Sequence, residues 1–120
     1  MFLIDQVQKA LQAVAGLEID IIGPSHGIVW RSHIPEIVEK YKKWSANQTE
    51  NKALIIYGTM WKSTEKMAYA IQSAFEDQGF HTRMLNLEKN HISDVMTELI
   101  DAKYICVGSP TLNNSMLPTV

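Results

Sequence analysis

The chain has 120 residues, 46% of them apolar, and a formal net charge of −2. That balance excludes the basic excess of a nucleic-acid binder, and no run of about 18 apolar residues is present to span a membrane. The start, Met1-Phe2-Leu3-Ile4-Asp5, lacks the basic region and long apolar core of a signal peptide, and the single cysteine, Cys106, leaves no internal disulfide, so a cytoplasmic protein with an inert core thiol is expected.

Leu3, Val7, Leu11 and Val14 recur at helical spacing, so residues 2–15 read as an amphipathic helix stopped at Gly16. Ile19 to Ile22 reads as a short strand closed by Gly23-Pro24. Pro35 sits near the start of a second helix that presents Ile34, Ile37, Val38, Tyr41 and Trp44 on one face. The polar run from Ser45 to Asn51 has no period and reads as a linker. Beyond it the pattern alternates. Ala53–Tyr57 is a strand, and a helix capped by Ser63 or Thr64 runs to about Gln78 and ends at Gly79. Thr82–Leu87 is a second strand, Ile92–Ile100 a shorter helix, and Tyr104–Gly108 a third strand. Apolar strands alternating with helices predict an α/β fold with a parallel sheet covered by helices.

The stretch from Tyr57 to Ala68, YGTMWKSTEKMA, follows a buried strand and opens a helix. Such a junction gathers unpaired backbone N–H groups at the positive end of the helix dipole, where an anion binds. Only one glycine, Gly58, lets backbone approach, so the hydroxyls of Thr59, Ser63 and Thr64 would share the binding. That arrangement suits the phosphate of a flavin mononucleotide better than a pyrophosphate. On the residues alone, a hydroxyl-rich helix cap stays open as the alternative. Trp61 reads either as a scattered surface aromatic or, with its neighbour Met60, as a shield for a flavin ring, while Lys62 needs no partner but solvent. The second loop, Ser109 to Asn114, follows the third strand, so both loops fall where doubly wound sheets bind ligands.

Three segments carry a resemblance to a known family. YGTMWKSTEKMA resembles the phosphate loop of the flavodoxin domain of flavodiiron proteins (A-type flavoproteins). The segment from Gly108 to Val120, GSPTLNNSMLPTV, resembles that domain's next flavin-contacting loop, with Ser115 where the family usually has glycine. Gly23-Pro24-Ser25-His26-Gly27, followed by Trp30-Arg31, resembles the end of the family's metallo-β-lactamase-like domain. The three occur in the family's order and cover nearly the whole chain.

The resemblance implies residues 1–45 as the end of a metallo-β-lactamase-like domain, 46–52 as a linker, and 53–120 as the first half of a flavodoxin-like FMN domain. It implies a sheet in the order 2-1-3, incomplete against the doubly wound order 2-1-3-4-5, and hence a segment of a longer protein. The implied flavin contacts are Thr59, Met60, Trp61, Lys62, Ser63 and Thr64 in one loop and Ser109, Pro110, Thr111, Leu112, Asn113 and Asn114 in the other. His26 matches a family ligand of the di-iron centre, but the partner ligands are absent and one imidazole cannot hold the metal. His33, His81 and His91 read as surface residues. The parent would pass electrons from a rubredoxin-like or flavin donor through FMN to di-iron, reducing dioxygen to water or nitric oxide to nitrous oxide, as a homo-oligomer. The chain would contribute the phosphate-binding and first ring-contacting loops of the FMN domain, with weak affinity on its own, and no catalytic residue. A stand-alone flavodoxin-like electron carrier is disfavoured by the Pro24–Gly27 segment; a non-functional truncated fragment is favoured by the missing strands.

Overall fold

The computed structural model describes residues 2–118 and 120, with side chains from Ile4 onward. Leu3 of the first predicted helical face and Thr119 of the last motif therefore lie outside the described side chains. The chain divides into two compact units, residues 1–48 and 49–120.

In the first unit, α1 (Phe2–Val14) and α2 (Ile34–Ser45) are both helical as their periodicity predicts. Gln8 Nε2 on α1 donates to the Ser45 carbonyl at the end of α2, 2.7 Å away. Pro35 occupies the first turn of α2, where its missing N–H costs nothing. Tyr41 and Trp44 meet edge to face at 5.5 Å. The predicted strand Ile19–Ile22 does not form. Only Ile22 finds a partner, exchanging backbone hydrogen bonds of 3.0 and 2.9 Å with Trp30. A strand needs a neighbour to satisfy its backbone, and an apolar run without one stays irregular; Ile21 is exposed.

The second unit is a parallel three-stranded sheet in the order β2-β1-β3, made of β1 (Lys52–Tyr57), β2 (His81–Asn86) and β3 (Tyr104–Gly108). Between them run α3 (Ser63–Asp77) and α4 (Ile92–Leu99). All six residues of β1 are buried, as expected of a central strand paired on both sides. Its side chains alternate between two cores. Leu54 and Ile56 pack with Leu85, Val95 of α4 and Ala102 on one face. Ile55 and Tyr57 pack with Ala68 of α3 on the other. The helices thus cover opposite faces, the doubly wound arrangement the β–α alternation predicts. Register places Ile55 opposite both Met84 and Cys106; Cys106 is half-buried against the α3-side core.

At the N-terminal end of the sheet, the buried Lys52 ammonium bonds to Asp101 and, at 3.0 Å, to Glu98. Arg83 reaches the other Glu98 oxygen at 3.4 Å. These contacts tie α4 and its C-terminal turn to β1 and β2. Gly79 ends α3 at φ 78°, a left-handed conformation that glycine adopts without steric cost.

Candidate functional site

The C-terminal ends of β1 and β3 stand side by side. Tyr57 pairs with Gly108, and the Gly58 N–H donates to the Gly108 carbonyl at 3.0 Å. The two stretches singled out in the sequence, 59–64 and 109–114, both leave from this point, the first running on into the start of α3. Gly108 lets them close up: a Cβ there would lie 3.1 Å from Thr64 Cγ2. The first turn of α3 therefore rests directly on the end of β3.

Thr59 is buried, 8% exposed, and its Oγ1 is sealed from solvent with no hydrogen-bond partner among the described residues. A buried hydroxyl left without a partner costs about 1–3 kcal/mol. The helix that follows is not capped as the sequence predicts. Neither Ser63 nor Thr64 is the N-cap: both lie inside α3, and Lys62 precedes them in left-handed conformation, φ 63°. A lysine side chain has no oxygen to accept from the first turn, and no side-chain cap bond forms. The left-handed bend at Lys62 is a conformation that costs a non-glycine residue of order 1–2 kcal/mol. Both departures leave the positive end of α3 free for an external acceptor. Thr64 is buried and Ser63 exposed. Trp61 is 86% exposed, and Met60 beside it is also exposed.

The second loop contains more structure than a turn. Thr111–Leu112 and Ser115–Met116 form a small antiparallel hairpin, β4 and β5. Asn113 and Asn114 link them with φ of 49° and 60°, the paired left-handed residues of a type I′ turn. Ser109 belongs to the loop's own framework. Its Oγ donates to the Pro110 carbonyl at 2.9 Å and accepts from the Leu117 N–H at 2.8 Å. Thr111, Asn113 and Asn114 are exposed, while Pro110 and Leu112 are half-buried. Beneath the loops, a cavity of about 280 Å³ lies between α3 and the β1–β3 pair, with Met67, Ile71 and Cys106 among its walls.

Tyr57 and Glu65 were not among the residues expected to contact the flavin. The Tyr57 hydroxyl donates to Glu65 Oε1 at 3.3 Å. Burial, then the charge and hydrogen bond of Glu65, push the Tyr57 pKa up, so the phenol stays protonated. The sequence signal was available: Tyr57 is the last residue of the strand that delivers the loop.

The histidines lie elsewhere. His26 is exposed in the 23–29 loop of the first unit, and no group of three or more candidate metal ligands converges among the described residues. The described donors thus do not fit an iron centre. His33 Nδ1 pairs with Glu36 at 3.1 Å, both exposed. His91 is more than a surface residue. Its Nδ1 accepts from the Ser93 N–H, and Asp94 accepts from the His91 N–H, closing a capping box on α4.

Residues 55–120 match the Flavodoxin family. The chain belongs to that family. FMN is the cofactor this membership implies, and the site fits its phosphate: a sealed, partnerless hydroxyl beside an uncapped helix end. The likeness extends upstream of the flavodoxin match. The chain is 42% identical over 117 residues to the nitric oxide reductase of Moorella thermoacetica. Among solved structures, it superposes on rubredoxin oxygen:oxidoreductase from Desulfovibrio gigas with TM-score 0.82 at 35% identity, covering 97% of this chain. The flavodiiron protein of Giardia intestinalis gives TM-score 0.86 at 29% identity. The chain spans 28% of the Moorella protein and 30% of the Desulfovibrio one. Among the described residues, no helix is long and apolar enough to cross a membrane.

Proposed function

We propose that this chain is the FMN-binding segment of a flavodiiron oxidoreductase. Residues 53–120 are the first half of the FMN domain, 46–52 the linker, and 1–45 the end of a metallo-β-lactamase-like domain. The observation that carries the proposal is the pairing of Thr59's sealed hydroxyl with an uncapped α3, at the meeting of two strand-end loops.

Thr59 Oγ1 and the first-turn N–H groups of α3 hold the phosphate; Ser63 and Thr64 add hydroxyls. One helix end with a single preceding glycine, Gly58, suits one terminal phosphate rather than a pyrophosphate, which needs closer backbone approach. Trp61 and Met60 shield the ring from one loop, and the Pro110–Asn114 segment lies along it from the other. Ser109 shapes the β4–β5 hairpin through its two hydrogen bonds. Lys62 supplies the bend that opens the helix end. Bound there, FMN supplies electron transfer, which the chain tunes by what it packs against the ring.

In the whole protein, electrons from a rubredoxin-like or flavin donor pass to a di-iron centre that reduces dioxygen to water or nitric oxide to nitrous oxide. His26 corresponds to one ligand of that centre, whose other ligands lie outside this chain. The protein is cytoplasmic and works as a homo-oligomer. The names of the Moorella and Desulfovibrio relatives support the reading.

Titration of the chain with FMN, riboflavin and FAD is the test. Two or more hydrogen bonds to a charged phosphate, at about 1.5 kcal/mol or more each, should favour FMN over riboflavin by at least about a hundredfold. Equal affinity for riboflavin would refute the phosphate assignment.

A further inference from the structure

We propose that Tyr57 is a positioning residue that keeps the phosphate site open by holding the Glu65 carboxylate away from the N-terminus of α3. The inference rests on the phosphate-loop reading above.

Glu65 is the third residue of α3. A carboxylate at that position ordinarily reaches back to the N–H of the N-cap residue and closes the helix end. The same chain shows this at α4, where Asp94, also third in its helix, accepts from the His91 N–H at 3.1 Å. At α3 the corresponding carboxylate is turned aside. Its Oε1 accepts from the Tyr57 hydroxyl at 3.3 Å, and no side-chain cap bond forms at Lys62. Tyr57 is well placed to do this. It is 4% exposed, fixed in β1 and packed against Ala68 of α3, so its hydroxyl is a stationary donor. A Glu65 released from it would compete for the donors that the phosphate uses, and would bring a negative charge towards a dianion. The partnerless Thr59 hydroxyl lies in the same loop, so the site is kept unsatisfied at two independent points.

Tyr57→Phe, Glu65→Ala and the double variant, each titrated with FMN and with riboflavin, test the proposal. Tyr57→Phe keeps the ring and frees the carboxylate. FMN affinity should fall about fivefold, the equilibrium weight of one side-chain cap, while riboflavin affinity changes less than about twofold. Glu65→Ala, with no carboxylate near the phosphate, should bind FMN about twofold or more tighter than the unaltered chain. The double variant should bind as Glu65→Ala does, because Tyr57 then has nothing to restrain. Unchanged FMN affinity in Tyr57→Phe, or failure of Glu65→Ala to rescue it, would overturn the proposal. Should Tyr57→Phe not fold, a loss of FMN affinity in Glu65→Ala alone overturns it, since Glu65 would then assist binding. If the unaltered chain binds riboflavin as tightly as FMN, it is the phosphate-loop reading that fails; if it prefers FMN and Tyr57→Phe binds normally, only the role of Tyr57 fails.

Discussion

Replacing Gly108 with alanine tests the joint between α3 and the sheet. The new Cβ would stand 3.1 Å from Thr64 Cγ2 and 3.6 Å from Tyr57 Cβ. Carbon atoms pack best at about 3.5–4.0 Å, so the Tyr57 contact is ordinary and the Thr64 methyl must retreat. Gly108 does not lie in the left-handed region, so backbone strain plays no part. Thr64 retreats poorly, because it is buried, β-branched and held in the first turn of a helix. Overpacking of this kind costs about 1–3 kcal/mol, and a single close contact belongs at the lower end, about 1 kcal/mol. With a urea slope of about 1 kcal/mol/M for so small a unit, the unfolding midpoint should fall by about 1 M. Thr64→Ser removes the methyl that obstructs the new Cβ and keeps the hydroxyl. In that background, Gly108→Ala should cost nothing, giving a coupling of about 1 kcal/mol across the four proteins. Urea unfolding followed by circular dichroism measures it. An equal cost in both backgrounds would refute the reasoning that glycine is there to admit Thr64.

Thr59→Val should act in opposite directions on stability and binding. Removing a sealed, partnerless hydroxyl should stabilise the ligand-free chain by about 1 kcal/mol, while FMN affinity falls at least about tenfold; thermal melts with and without FMN show both. Lys52 gives a pH dependence. Burial alone would lower its pKa, but the hydrogen bonds and charges of Asp101 and Glu98 outweigh that and raise it. A raised pKa means stability that is complete below the ordinary lysine value and lost as pH rises through the folded one. Tyr57, also raised, adds a loss in the same direction. The urea midpoint should therefore fall between pH 9 and 12, as measured at ~1-unit steps, and less so in Lys52→Met. That variant should itself be destabilised by about 3 kcal/mol at neutral pH, because it strands the half-buried Asp101 carboxylate and leaves Glu98 only the exposed Arg83. His91→Ala should cost about 1 kcal/mol by opening the capping box of α4, read by the same unfolding assay.

The second unit was legible because its signals are local. Five apolar residues closed by Gly58 are too few for a helix and read as a buried strand, and β3 runs from Tyr104 to Gly108 as its composition predicts. The failures have physical causes. Ile19–Ile22 has strand composition, but pairing is decided by what lies alongside, and only Trp30 does. The start of α3 was misplaced because Ser and Thr are preferred caps, whereas Lys62 takes the cap position in a conformation no propensity favours. That misreading fell on the proposed phosphate loop, and departures from local preference are the kind of strain a functional site carries. The hairpin at 111–116 hid inside a motif because each of its strands is two residues long. The His91–Asp94 box was visible in principle, but histidine is not among the usual cap residues.

The order of strands in the sheet has a bearing on how the chain is made. β1 and β2 with α3 between them form a unit as soon as residue 86 is available, but the other side of β1 waits for Tyr104 to meet Ala53. At a synthesis rate of about 5–20 residues per second, that edge stays open for about a second or more. Its backbone groups are meanwhile a template for any passing strand, and its side chains are ones the folded unit buries. Non-local parallel pairing is also slow to form once the partner arrives. Yield in a cell should therefore depend on how fast the ribosome crosses residues 87–108, and codon changes there should alter the soluble fraction without changing an amino acid.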